Sequence, residues 1–319
     1  MTSTTMPGNL RIVAATPGPG GAARWAAEQR EQVRALLVEH GVVLVRGLGV
    51  RSAAQVAEVA AALGVERMTE RERFAPRSSY AEAVYSSTEW PADEPMCMHH
   101  EVSHAAEVPS TLVFGCLTAP AVGGNTSVAD SQDVLQSLPA ELVDRFAREG
   151  WLLTRMYHEV GVAWSEAFGT KDPAEVDAYC AAAALQHEWL PGDQLRTRQR
   201  RAAVIRHPHT GAPVWFNQVA FLNERTMDPA IRDYLVDVYG PDGLPFNTAY
   251  GEGGAISDET VQTINEAYLK AAFGQPWQNG DVLLVDNLRM AHSRDPYEGK
   301  REIVVIHGDP VRITGHVLP

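Results

Sequence analysis

Short apolar runs of β character recur along the whole chain: VVLVRGLG at 42–49, STLVFGCL from Ser110, TSVAD from Thr126, WLLTRMYH from Trp151, then AAVIRHP, PVWFNQVAFL, DVLLVDN and REIVVIHG. Long irregular stretches join most of them, which favours an antiparallel barrel or jelly roll over a doubly wound sheet. Helical periodicity is limited to a few segments: 22–40 with Gly41 as a left-handed cap, 51–63 closed by Gly64, LPAELVDRFAREG ending at Gly150, 173–185, and 257–272 with Ser257 as its cap. The expected class is mainly β with helical decoration, its core a double-stranded β-helix. Residues 1–21, rich in Pro, Gly, Ser and Thr, read as a flexible lead-in. No linker or internal repeat divides 22–319, which reads as a single domain. Between about 65 and 100 the periodicity fades over a length too great for an ordinary connector, and such loops are usually functional.

Charge narrows the partners. Among 319 residues, 27 Lys and Arg against 40 Asp and Glu leave a net charge of −13, a balance that repels phosphate backbones and anionic lipid. Neither a nucleic acid nor a membrane is expected as partner, and a small molecule is. Three scattered cysteines, Cys97, Cys116 and Cys180, form no CxxC pair or disulfide framework. With no export signal and no apolar run of about 18 residues, the expected compartment is the cytoplasm. The segments GxGxxG, Walker A and GxSxG are all absent.

The chemistry lies with the histidines, densest in MCMHHEVSH at 96–104. On a strand, His99 and Glu101 point to one face and His100 to the other. An imidazole and a carboxylate at i and i+2, joined by a distant His, form the facial triad that leaves positions open on ferrous iron. The pair alone is weak evidence, because eleven histidines and 40 acidic residues in 319 positions give about 1.4 chance matches, and the chain has two, His99-x-Glu101 and His307-x-Asp309. Its company adds weight: GGNT, with Thr126 opening a strand, and DVLLVDNLRMAHSRDPYEGKREIVV, which supplies His292 and Arg301.

The motifs HHEVSHAAEVPSTLVFGC, GGNTSVAD, RHPHTGAPVWFNQVAFLN and DNLRMAHSRDPYEGKREIV span roughly residues 95–310. In that order they resemble the taurine dioxygenase (TauD/TfdA) family of iron(II)/2-oxoglutarate oxygenases. The nearest likeness is to its clavaminate synthase-like branch, which includes amino-acid hydroxylases of natural-product pathways. The resemblance implies a jelly roll whose mouth holds Fe(II) on His99, Glu101 and His292. It implies 2-oxoglutarate and O2 as co-substrates, with Arg301 and Thr126 on the distal carboxylate of 2-oxoglutarate. Iron at +2, Glu101 at −1, the co-substrate at −2 and Arg301 at +1 sum to zero, as a buried anion requires. Asn217 and Arg294 fall in segments that resemble the substrate-side wall. The implied substrate is an amino acid or a derivative, free or tethered to a carrier protein, and hydroxylation is the expected outcome, with desaturation or cyclisation open to the same chemistry. Glu101 stands where taurine dioxygenase has Asp, and it argues against the halogenating relatives, which lack this carboxylate. Val305 stands where some relatives carry a second Arg.

Other readings compete. His99 with Glu101 forms a surface ion pair in the plainest alternative, and His292 a satisfied core histidine. His100 and His104 read as packing or supporting residues, the His207 and His209 pair as structural, and His307-x-Asp309 as lying in the wrong order for the family. The run QLRTRQRRAAVIR reads as a solvated face before a lid or a carrier contact. A zinc hydrolase could use the same three ligands, whereas a non-catalytic jelly roll predicts that they do not converge.

Overall fold

The computed structural model describes residues 9–75 and 77–313, together with the backbone of residues 3–5. Its largest sheet has eight strands in the order Ser3–Thr5, Arg11–Ala14, Val42–Arg46, Val282–Asp286, Glu107–Thr118, Glu302–Arg312, Val84–Ser86 and Ser79–Ala81. Neighbours are antiparallel except Arg11–Ala14, which runs parallel to Val42–Arg46. Both faces are covered, so the strands read as continuous apolar runs rather than as alternating ones. Val43, Val45, Val113, Val282, Leu284, Val304 and Ile306 pack with Val33 and Leu37 of helix Gly21–His40 and with Val56 and Val59 of helix Ala53–Ala62. The intervening residues Leu44, Phe114, Leu283, Val285, Ile303 and Val305 face Val128 and Met290 of a second, four-stranded sheet. That gap between sheets becomes the site at one end.

A third sheet of Gln186–Leu190, Gln194–Arg201, Trp151–Tyr157 and Phe246–Tyr250 flanks these two. The basic run belongs to it: Gln194–Arg201 buries Leu195, Thr197 and Gln199 while Arg198 and Arg200 stay exposed, a strand with one solvated face. Beside this sheet, helices Ser131–Ser137, Ala140–Glu149 and Asp258–Ala271 enclose a cluster built around Phe146, Trp151 and Trp215. Ser257 caps the last helix by accepting from Thr260 N–H, and Gly41, at φ 75°, ends the first with its N–H on Leu37 O at 2.7 Å.

Three expectations need correction. The lead-in reading fails from residue 10 onward: Leu10 and Val13 are buried, and Arg11–Ala14 adds a strand to the main sheet. Composition pointed to Pro and Gly there, whereas the apolar positions within LRIVA decide the outcome; residues 1, 2 and 6–8 of that segment lie outside the described ones. Of PVWFNQVAFL, only Pro213–Trp215 is strand, because the chain leaves the sheet there and turns from Val219 onward, where Asn217 Oδ1 accepts from Val219 N–H. Helix Pro229–Tyr239 arises where no helix was expected.

Phe146 is fully buried, 5.2 Å from the Trp215 ring and 4.7 Å from that of Tyr250, centroid to centroid. Phe146→Ala removes that filling from a close-packed cluster and is expected to cost about 3–5 kcal/mol in urea denaturation.

Candidate metal centre

The second sheet places the two imidazoles. Its strands are Ala272–Phe273, Thr126–Asp130, Met290–Arg294 and Met96–His99, in that order. Antiparallel register sets His292 opposite His99 and Arg294 opposite Thr126. Facing residues in such a pair are about 5 Å apart, and here the ring centroids are separated by 4.4 Å. Met290, His292 and Arg294 share the face toward the main sheet. Met290 closes the core between the sheets, His292 follows, and Arg294 reaches the pocket.

Glu101 arrives by another route. The strand ends at His99, and Glu101 lies in a turn whose next residue, Val102, has φ 57°. Asn287 holds that turn: its Oδ1 accepts from Glu101 N–H at 2.8 Å, and its Nδ2 donates to the carbonyls of Glu101 at 2.9 Å and Pro109 at 2.8 Å. A clamped turn, rather than strand alternation, therefore presents the carboxylate. His100 points away and is fully buried, with Nδ1 2.6 Å from Asn287 O and Nε2 2.7 Å from Ser131 Oγ.

The donors converge. Glu101 Oε2 lies 3.5 Å from His292 Nε2 and 3.8 Å from His99 Nε2, and one ligand atom from each residue falls within 4.8 Å of the others. Atoms about 2.1 Å from one ion and at right angles lie roughly 3 Å apart, so a small side-chain adjustment closes the set. His99 donates Nδ1–H to Cys97 O at 2.9 Å, which leaves the Nε2 lone pair for an ion. Its ring stacks on Phe221 at 4.6 Å. Burial pushes the Glu101 carboxyl up, but the Arg77 guanidinium, followed by hydrogen bonds from His292 and His99, holds it well below the usual carboxylate range. Burial, with His99 nearby, takes His292 down to about 4. Carboxylate and neutral imidazole are the forms a metal binds.

These side chains line a pocket that also holds Arg301, Thr126, Ser87 and Thr88. Arg301 donates to Gly124 O at 2.9 Å, to Thr126 Oγ1 at 3.4 Å and to Ser87 Oγ at 3.4 Å. Gly124, at φ +66°, leaves no room for a side chain: a Cβ would sit 2.7 Å from Pro120 Cγ and 3.1 Å from Arg301 Cδ. Burial lowers the Arg301 guanidinium to about 10, so it remains cationic at neutral pH.

Not every expected residue serves the pocket. Asn217 does not line it: Nδ2 donates to Ala203 O and Oδ1 accepts from Val219 N–H, so this amide fixes a turn. Arg294 does line it, yet its N–H groups donate to the carbonyls of Trp90, Pro91 and Glu94 and anchor the loop there. His104 and His207 are structural; His207 Nε2 lies 2.9 Å from Asp286 Oδ2. His307, outside the donor set, sits 3.8 Å from Glu101 Oε1. Arg77, Asn287 and Phe221 carry no recognisable pattern in the sequence. Asn287, five residues before His292, and Phe221, within RHPHTGAPVWFNQVAFLN, both lie in family-like segments, whereas Arg77 lies in none.

Two imidazoles and one carboxylate on one wall, facing a guanidinium on another, suit iron(II) with positions left for a chelating α-keto acid. Convergence goes against a non-catalytic jelly roll. Glu101 is the one carboxylate among the described lining residues, which leaves no general base for a zinc hydrolase.

The taurine catabolism dioxygenase TauD, TfdA family matches residues 15–307. The dapdiamide synthesis protein DdaC of Enterobacter agglomerans is 36% identical over 277 residues, covering 86% of this chain and 84% of that protein. A clavaminate synthase-like protein of Arabidopsis thaliana is 27% identical over 291 residues, with the same coverage of 86% and 84%. Among solved structures, PvcB of Pseudomonas aeruginosa superposes with a TM-score of 0.56 at 15% identity, over 95% of this chain and 88% of PvcB. No helix among the described residues is long and apolar enough to cross a membrane.

Burial lowers the titration of His100 to about 3 and of His292 to about 4, and it lowers His104 and His307 as well. Unfolded, each histidine takes a proton near pH 6.5, so the unfolded chain binds more protons below that point. The contribution of these histidines to stability is fully present well above pH 6.5 and is expected to fall as pH drops toward 4, by up to about 1.4 kcal/mol per pH unit for each histidine. Urea midpoints at pH 7.5, 6 and 5 check the sign.

Proposed function

The chain belongs to the TauD, TfdA family of iron(II)/2-oxoglutarate-dependent oxygenases, and from that premise we propose that His99, Glu101 and His292 hold the iron. Arg301 and Thr126 bind the distal carboxylate of 2-oxoglutarate. The observation that carries this reading is the meeting of three ligand atoms within 4.8 Å in a pocket that Arg301, hydrogen-bonded to Thr126, also lines. The bound iron, 2-oxoglutarate and dioxygen supply an oxidative decarboxylation, yielding succinate and carbon dioxide, coupled to oxidation of an unactivated C–H bond.

The protein's own part is geometric. Cys97 O sets the tautomer of His99, and the Asn287 clamp holds the Glu101 backbone. Met96, Phe114, Ile303 and Val305 keep that end of the pocket apolar and exclude water. The Arg301 fork matches a carboxylate. The core is a double-stranded β-helix formed by the two facing sheets, within one oxygenase domain that takes in strand Arg11–Ala14 as well as the residues from 22 onward.

The substrate is a small amino acid or a derivative of one, and hydroxylation is the reaction. Similarity over most of the chain to a protein of dapdiamide synthesis and to a clavaminate synthase-like protein supports a natural-product role.

Anaerobic addition of Fe(II) and 2-oxoglutarate is expected to give a weak visible charge-transfer band that His99→Ala abolishes. Arg301→Met should weaken 2-oxoglutarate binding about tenfold or more, from loss of a charged partner. Absence of both the band and succinate formation on aeration would reject the reading. A panel of amino acids followed by mass spectrometry then distinguishes gain of one oxygen from loss of two hydrogens.

A further inference from the structure

The two oxygens of Glu101 have separate surroundings. Oε2 faces His292 Nε2 at 3.5 Å and His99 Nε2 at 3.8 Å. Oε1 faces away, accepting from Arg77 Nη2 at 2.8 Å, with His307 Nε2 at 3.8 Å. Arg77 is itself held: Nη1 lies 3.2 Å from His307 Nε2 and 3.9 Å from Glu70 Oε2, and its side chain, like that of Glu101, is 8% exposed. Arg77 comes from the long segment between the second helix and Met96–His99, and none of the ligand-bearing elements contributes it.

A carboxylate binds a metal through one oxygen or through both. Through one, Glu101 and two histidines use three of six octahedral positions. Through both they use four, and a chelating α-keto acid then fills the sphere. A charge-assisted hydrogen bond to one oxygen removes that oxygen from the competition. The geometry points to Arg77 as a positioning residue that, by occupying Glu101 Oε1, confines Glu101 to one metal bond and keeps one coordination position free once 2-oxoglutarate is bound. The inference rests on the ligand assignment proposed above.

The test compares wild type, Arg77→Met and Arg77→Lys. Mn(II) affinity of the metal-free protein is measured by electron paramagnetic resonance. Nitric oxide, a stand-in for dioxygen, is then titrated into the anaerobic Fe(II)·2-oxoglutarate complex. Arg77→Met is expected to keep Mn(II) affinity within about threefold of wild type or to tighten it, and to weaken nitric oxide binding by about tenfold or more. Arg77→Lys, which restores one charged donor, should recover most of that loss. Nitric oxide affinity unchanged in Arg77→Met would overturn the inference. A parallel loss of Mn(II) and nitric oxide affinity would also overturn it, since that reports general damage to the fold. If Arg77→Met does not fold, Arg77→Gln is read by the same criteria. Wild-type protein that binds no Mn(II) would instead remove the ligand assignment on which the role of Arg77 depends.

Discussion

A buried carboxylate is costly unless opposite charge and hydrogen bonds surround it. Glu101, 6% exposed, meets that condition on one side through Arg77. On its other side stand two imidazoles, His292 being held neutral by burial. Negative charge and nitrogen lone pairs thus meet at one point, an arrangement that a divalent cation completes. Much else in the neighbourhood serves to hold it: the Asn287 amide fixes the Glu101 backbone, Cys97 O orients His99, and Phe221 backs the His99 ring.

The frame makes this affordable. Alternate residues of the main sheet pack against two helices on one side and against the second sheet on the other. Cross-strand register then decides which residues stand face to face: His99 with His292, and Thr126 with Arg294. A slip of one residue would turn His292 away from the pocket. Arg294, in turn, ties the loop at Trp90–Glu94 to the sheet, so the pocket wall and the metal wall share a strand.

The parts legible in the sequence were those with short-range patterns. Strand runs, the caps at Gly41 and Ser257, and the three residues that converge, His99, Glu101 and His292, could all be located. GGNT was legible as a turn leading into a strand, and the structure adds that a positive φ and close packing demand glycine at 124. What escaped depends on tertiary contact. Arg77 sits among other charged residues in an irregular segment, and its pairing with Glu101 spans 24 positions. Asn287 reaches back 186 positions to Glu101, and nothing near Asn217 shows that its amide is spent on Ala203 and Val219. The N-terminal segment misled because it is rich in Pro, Gly, Ser and Thr, while a few apolar residues govern its pairing.

That N-terminal pairing bears on how the protein is handled. Arg11–Ala14 covers the backbone amides and carbonyls along one side of Val42–Arg46. Trimming the chain back to the first helix would bare the apolar edge of Val42–Arg46, able to recruit the same edge of another molecule. The trimmed protein would then risk self-association through a strand that carries none of the three converging ligand residues, and its failure could be mistaken for a defect in catalysis.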